Sequence, residues 1–297
     1  MNEDKNGLTG IFYALFTFIL WGLLPLYWRL LAPISAAQIL ANRILWSFIL
    51  VMSILAFSGK FKLVKEALSN KKTARIMVGC AIFIAANWFF YLYGVTNNRV
   101  VEVSMGYYIN PLLTIVIGMV FLKEKLNRIQ ALAVLLALAG VLILTIQYGR
   151  FPWVAICLAV AFSFYGLLKK KLGKVDSLVG LAMETSLMLP IAVVYLLWTG
   201  IEGTGVLGNI GVAKTILLLC SALATVVPLL GFAEAAKRMQ LVSLGFLQYI
   251  YPSTTLLLGI FVFKEDFTSA HVYSFILIWL GLILYSLGQV KTQNKTS

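Results

Sequence analysis

Two side chains of opposite charge stand alone in long apolar stretches. Arg43 is the one formal charge in residues 34–57, and Glu184 the one in residues 177–201. A lone charge at the centre of a bilayer costs at least about 2.5–3.5 kcal/mol, so such residues face a bundle interior, pair with each other, or line a water-filled path. The pair supports two chemistries. One is a static ion pair that fixes one helix against another. The other is a hydrated site where Glu184 binds a proton or cation while Arg43 sets its ionisation or holds an anionic group. Polar and aromatic residues accompany them: Asn42 and Trp46 beside Arg43, Asn87, Trp88 and Tyr91 in a second segment, and Ser104, Tyr107 and Tyr108 in a third. Their spacings of three and four gather several on one helix face. Gln248 and Tyr249 form a fourth group. Interhelical hydrogen bonding accounts for any one of them alone; together they suit a polar chamber. Pro111 and Pro252 each free a carbonyl in a helix interior, and paired interruptions of this kind mark binding sites and hinges in transporters.

The segments that hold these residues are membrane spans. Of 297 residues 61% are hydrophobic and 12% charged, against roughly 45–50% and 25% in soluble domains. Charge-free stretches of about 18 residues or more are candidate crossings. They fall at 8–28, 76–98, 103–122, 129–149, 151–168, 215–233, 239–263 and 267–290, and the two singly charged stretches bring the total to ten. The expected class is therefore an all-α membrane protein of ten transmembrane helices. A net charge of +13 would suggest nucleic acid in a soluble chain. Here the basic residues instead occupy alternate loops: Lys60, Lys62, Lys65, Lys71, Lys72 and Arg75; then Lys123, Lys125 and Arg128; then Lys169 to Lys171 with Lys174. The positive-inside rule then places both termini in the cytoplasm.

Several motifs carry no chemistry in this setting. Gly203, Gly205 and Gly208 spell a dinucleotide fingerprint but follow a membrane segment, not a strand. His271, the single histidine, has no companions for a metal site. Cys80, Cys157 and Cys220 lie within spans and read as packing residues. No cofactor, metal, nucleotide or nucleic-acid partner is expected.

An offset of 141 positions aligns the fourth and fifth spans with the ninth and tenth. Tyr108, Ile109, Pro111, Thr114, Gly118, Lys123, Glu124 and Gly140 fall on Tyr249, Ile250, Pro252, Thr255, Gly259, Lys264, Glu265 and Gly281. A five-span unit has an odd number of crossings, so its second copy enters from the opposite side. Residues 1–148 and 149–297 are thus expected to be two inverted five-helix repeats. The same offset carries Arg43 onto Glu184, and the two charges are expected to meet near mid-depth. It also explains why Lys264 falls on the otherwise lysine-poor side.

The sequence resembles the RarD family. The likeness rests on Trp21-Gly22 with Pro25 and Tyr27, Ala41-Asn42-Arg43 with Trp46-Ser47, Asn87-Trp88 with Tyr91, and Gly106-Tyr107 with Ile109-Asn110-Pro111. It continues through Tyr165-Gly166-Leu167, Gly180-Leu181 with Glu184-Thr185, and Gly245-Phe246-Leu247-Gln248-Tyr249 with Pro252. Asn110, inside one of these motifs, joins the candidate lining. The resemblance implies an EamA-type member of the drug/metabolite transporter superfamily, a polytopic permease of the cytoplasmic (inner) membrane whose family label is linked to chloramphenicol sensitivity.

The expected function is secondary transport of a small metabolite or drug-like molecule by alternating access, coupled to a proton or to a counter-substrate, with Glu184 as the proton carrier. The fifth and tenth spans would pack outside the bundle or between two protomers of a homodimer. A channel or sensor is the alternative. Less favoured is an intramembrane enzyme, which needs a nucleophile with its base, or metal ligands, on facing helices; the lone histidine near an outer helix end argues against it.

Overall fold

The computed structural model describes residues 2–173, 175–264 and 269–296; Lys174 and Glu265, named above, lie outside them. Ten helices are long and apolar enough to cross a membrane. In chain order they are α1 (Asn2–Leu30), α2 (Ala36–Phe57), α4 (Lys71–Thr96), α5 (Val100–Leu122), α6 (Arg128–Tyr148), α7 (Trp153–Leu172), α8 (Ser177–Ile201) and α9 (Val212–Arg238). The ninth crossing is α10 (Leu241–Gln248) continued by α11 (Ile250–Leu258) and a π-type turn (Gly259–Phe263), and the tenth is in α12 (Ser269–Thr296). Between α2 and α4 lies α3 (Phe61–Ser69), a short amphipathic helix with no buried residue. Its lysines and exposed Phe61 and Leu68 suit the headgroup boundary.

Local chemistry explains the boundaries. Ser35 caps α2 by accepting from the Gln38 amide at 3.3 Å, Asp176 caps α8 by accepting from Leu178 at 2.8 Å, and Asn127 with Gln130 forms a capping box on α6. Each satisfies amides that a helix start leaves without partners. Several helices outrun their charge-free cores, three of them by runs of basic residues. α4, α7 and α9 include Lys71 and Lys72, Lys169 to Lys171, and Lys237 with Arg238 in their end turns. A lysine stem can lie along apolar surface with its head at the interface, so a charge does not end a membrane helix.

The 141-residue offset is visible in the backbone. Lys123 and Lys264 both adopt the left-handed conformation, at φ 56° and 58°, and their amides donate to Gly118 and Gly259 respectively. Packing follows the same relation. α1 lies on α9 and α11, and α7 lies on α4 and α5. Equivalent helices touch in antiparallel sense. Gly118 meets Leu241 while Gly245 meets Ile115. On α6 and α12, a methyl group added at Gly140 would lie 2.8 Å from the Ser274 carbonyl, and one at Gly281 would lie 2.8 Å from the Ala133 carbonyl. Ser274 and Ala133 are themselves 141 apart, so both contacts are one contact seen twice.

Candidate functional site

A cavity of about 630 Å³ lies among α1, α2, α4, α5, α7, α9, α10 and α11, within the range of small-molecule sites. It runs from mid-depth toward the end opposite the basic loops, where exposed Arg29 and Val100 stand at its mouth beside Phe263. Four helices that line it carry a proline, Pro228 on α9 among them. Pro25, Pro111 and Pro252 have no amide hydrogen, so the carbonyls of Trp21, Tyr107 and Gln248, four residues earlier, lack their usual helical donors. All three of those residues line the cavity. In the ninth crossing the interruption is overt, because α10 ends at Gln248.

Arg43 projects from α2 into this space. Its Nε donates to Thr225 Oγ1 on α9 at 3.0 Å, and its guanidinium carbon lies 4.8 Å from the Trp28 ring centre and 5.1 Å from that of Trp88. Aromatic faces attract a cation electrostatically and more strongly where water is sparse. Trp88, Tyr91 and Tyr107 line the cavity as expected, and Tyr251 meets Tyr107 edge-on at 4.8 Å between centres. Asn87 and Asn110 also reach it, but their side chains are committed to α7. Asn87 donates to the Leu158 carbonyl at 2.9 Å, and Asn110 Oδ1 accepts from Ser163 at 2.9 Å. Gln248, 2% exposed, lines the cavity with its Oε1 unpartnered.

The expected meeting of Arg43 and Glu184 does not occur. Glu184 is 1% exposed, its Oε1 lies 2.5 Å from Lys169 Nζ, and its Oε2 accepts from the Tyr165 hydroxyl at 3.1 Å. Arg43 lies closer to the non-basic end of its helix and Glu184 closer to the basic end of its own, so the two face opposite ends of the bundle. Three other expected lining residues are displaced as well. Asn42 is wholly buried and donates to the Gln38 carbonyl at 2.9 Å. Trp46 and Tyr249 lie outside the cavity lining; Tyr249 packs with Tyr108, Leu112 and Ile278 where the two halves meet. Pro111 and Pro252 are buried in their helices.

Beyond the floor of the cavity the bundle is closed toward the basic end. Phe162, at the floor, meets Trp21 edge-on and lies tilted against Phe232, which stacks on Tyr165. Below them, Lys60 meets Asp176 at 2.6 Å, Glu234 pairs with Lys237 and Arg238 and accepts from Ser177, and Lys170 donates to the Met239 carbonyl at 2.5 Å. Burial alone would raise the Asp176 carboxyl, but hydrogen bonds from Lys60 and the Leu178 amide outweigh it and hold it below the usual carboxylate value. Glu124 accepts from the Leu241 and Val242 amides at 2.9 and 2.8 Å, tying the end of α5 to the start of α10.

This architecture has relatives. The sequence profile of the EamA-like transporter family matches residues 8–146 and 152–287. The chain belongs to the EamA-like transporter family. Within that family it is similar to an uncharacterised transporter, YojE, of Bacillus subtilis strain 168, 44% identical over 95% of each chain. It is also similar to proteins named RarD, at 35% identity over 99% of each chain in Escherichia coli K12 and 38% over 100% of this chain and 94% of its counterpart in Streptomyces exfoliatus. It is a RarD-type member. A solved crystal structure shares the fold at TM-score 0.73 and 16% identity, covering 95% of this chain and 98% of the other.

For this EamA-family chain, a multi-pass membrane transporter, the sequence reading missed Trp28, Thr225, Tyr251 and Lys169. Trp28 and Tyr251 are aromatic residues in membrane spans, and nothing in their spacing sets them apart from the other aromatic residues there. Lys169 stands in a run of three lysines that reads as a loop. The signal for it was present: the 141-residue offset carries Trp28 onto Lys169, as it carries Arg43 onto Glu184. The two contacts, Trp28 with Arg43 and Lys169 with Glu184, are the same pair of positions in the two halves.

Proposed function

We propose that this chain is a secondary transporter that moves a small molecule across the cytoplasmic membrane by alternating access between two inverted five-helix repeats, residues 1–148 and 149–297. One observation carries this reading. The cavity reaches mid-depth from one end, and at the other end symmetry mates of its lining are packed shut: Leu24, Trp28, Arg43 and Tyr91 correspond to Tyr165, Lys169, Glu184 and Phe232. Exchanging the conformations of the two repeats would open the second set and close the first. The basic loops assign the closed end to the cytoplasm, so the conformation described faces outward. Arg43, Trp88, Tyr91, Tyr107 and Gln248 are the substrate-contacting residues, and Pro111 and Pro252 provide the compliance of their helices. Asn87 and Asn110 position the wall.

Among the described residues no carboxylate lines the cavity, so coupling to a proton or counter-substrate falls to Glu184 with Lys169. Separating that pair is a condition for opening the cytoplasmic end, and a proton arriving on Glu184 would release Lys169. A channel would need no such closed end.

The test is cross-linking. In a background lacking Cys80, Cys157 and Cys220, Lys60→Cys with Asp176→Cys is bridged by a reducible thiol cross-linker in proteoliposomes. A solute first identified by thermal-shift screening of a metabolite library serves for counterflow. Alternating access requires that cross-linking abolish counterflow and that reduction restore it. Unchanged flux through the cross-linked protein would defeat the reading. Glu184→Gln should flatten the pH dependence of uptake in protein that still transports.

A further inference from the structure

We propose that the cavity is built for a small organic anion: a carboxylate carried on a flat apolar body, held by Arg43. This deepens the transporter reading and rests on the cavity being its substrate site. The first observation is the charge of the lining. Arg29 and Arg43 are the charged residues that line it, and neither forms a salt bridge among the described residues. Held partway across the membrane without a counter-ion among the described residues, Arg43 is offset by two indole rings and one hydroxyl. A guanidinium has five N–H donors. The Nε hydrogen goes to Thr225, and the four on the terminal nitrogens are left facing the cavity without a partner among the described residues. Those terminal nitrogens form a planar fork that matches two carboxylate oxygens.

The second observation removes the competing occupant. An organic cation would seek the faces of Trp28 and Trp88, but the guanidinium of Arg43 already lies over both. It would also enter a space with two positive charges and, among the described residues, no acid. The third is the remaining wall. Tyr91, Tyr107 and Tyr251, with Trp21, supply flat apolar surface, and Gln248 Oε1, buried and unpartnered, is an acceptor left for an N–H or O–H donor on the bound molecule. An unmatched buried acceptor is costly, so a ligand bearing a hydroxyl or ring N–H is favoured over one without.

The experiment is a binding series on purified full-length protein in nanodiscs, read by calorimetry at neutral pH. Phenylacetate and indole-3-acetate are compared with their amides and with phenethylamine and tryptamine, so that body shape is held while charge changes. Each carboxylate should bind about tenfold or more tighter than its amide, and the amines should show no saturable binding. Arg43→Gln should bring acid and amide level, while Arg43→Lys keeps part of the difference. 4-Hydroxyphenylacetate should outbind phenylacetate, and Gln248→Leu should erase that gain. An amine binding as well as its acid, acid affinity untouched by Arg43→Gln, or a panel in which no carboxylate binds would overturn the proposal. Counterflow of the tightest acid then separates the two claims. Binding without flux leaves the anion site standing and defeats the carrier; flux of amines without acid binding does the reverse.

Discussion

Trp28 with Arg43, and Lys169 with Glu184, occupy equivalent positions in the two halves, yet they have been put to different uses. In the first half the pair is a ring and a guanidinium, 4.8 Å apart, beside a cavity. In the second it is an ammonium and a carboxylate at 2.5 Å, sealed within the bundle. Both answer the cost of a charge inside a membrane. The second half answers with an opposite charge, which leaves nothing over for a ligand. The first answers with aromatic faces and one hydroxyl, which leaves the fork free. In the proposed carrier, the difference separates two tasks: holding a substrate, and holding shut the path on the far side.

The sharpest test of that contrast is to remove one member of the sealed pair. Lys169→Met strands the Glu184 carboxylate, and loss of one partner from a buried ion pair costs about 3–5 kcal/mol. Replacing both, Lys169→Met with Glu184→Met, should recover most of that loss, because a well-packed apolar pair is often no worse than an ion pair. Reversible unfolding in mixed micelles gives the coupling energy, and simple additivity of the two single changes would show that they do not act as a pair. Next in size comes the seam between the halves. Gly140→Ala and Gly281→Ala each push a methyl group against a backbone carbonyl on the facing helix, and overpacking of this sort costs about 1–3 kcal/mol. The two costs should agree, since the contacts are mates; tolerance at one site only would break the two-fold relation there.

Arg43 should behave otherwise. With no acid to strand, Arg43→Met should change stability by about 1 kcal/mol or less, and its effect should add to that of Glu184→Gln within about 0.5 kcal/mol, as separate sites do. Measured coupling well above that value would put the two charges back into one network. Ligand affinity, in contrast, should collapse.

The ten crossings and the repeat could be read in the chain because both are written in composition and spacing: long apolar runs, and a Pro, a Gly and a Lys-Glu step in register. The helix ends could not, because Lys71, Lys169 and Lys237 lie inside helices that a charge-free criterion cuts short. Arg43 was found by its isolation in an apolar stretch, and so was Glu184. Their partners were not, because symmetry says which residues correspond and does not say which ones touch. In an inverted pair, a residue nearer one membrane face has its mate nearer the other, so correspondence implies separation except at mid-depth. That is why Lys169, masked by two neighbouring lysines, holds the place at Glu184 that Arg43 was expected to fill.

The same asymmetry reaches the helix caps, where the expected effect is smallest. Ser35 and Asp176 are mates, and each caps the helix that carries the half's lone charge. The Ser35 cap is neutral. The Asp176 cap is charged and bound to Lys60 at the closed end. Asp176→Asn keeps a good capping residue and removes the charge, so the expected cost at neutral pH is about 0.5 kcal/mol, the scale of a partly exposed ion pair. Because the folded-state carboxyl is held below its usual value, the stabilising increment is complete above the unfolded value of about 3.9 and fades as pH falls through the lower folded value. The melting difference between the native protein and Asp176→Asn should therefore be present at neutral pH and shrink only as the pH falls below about 3.9. Ser35→Ala should show a difference that does not move with pH. If the Asp176→Asn gap persists in acid, the side chain contributes through its cap alone, and the closed end is held without help from Lys60.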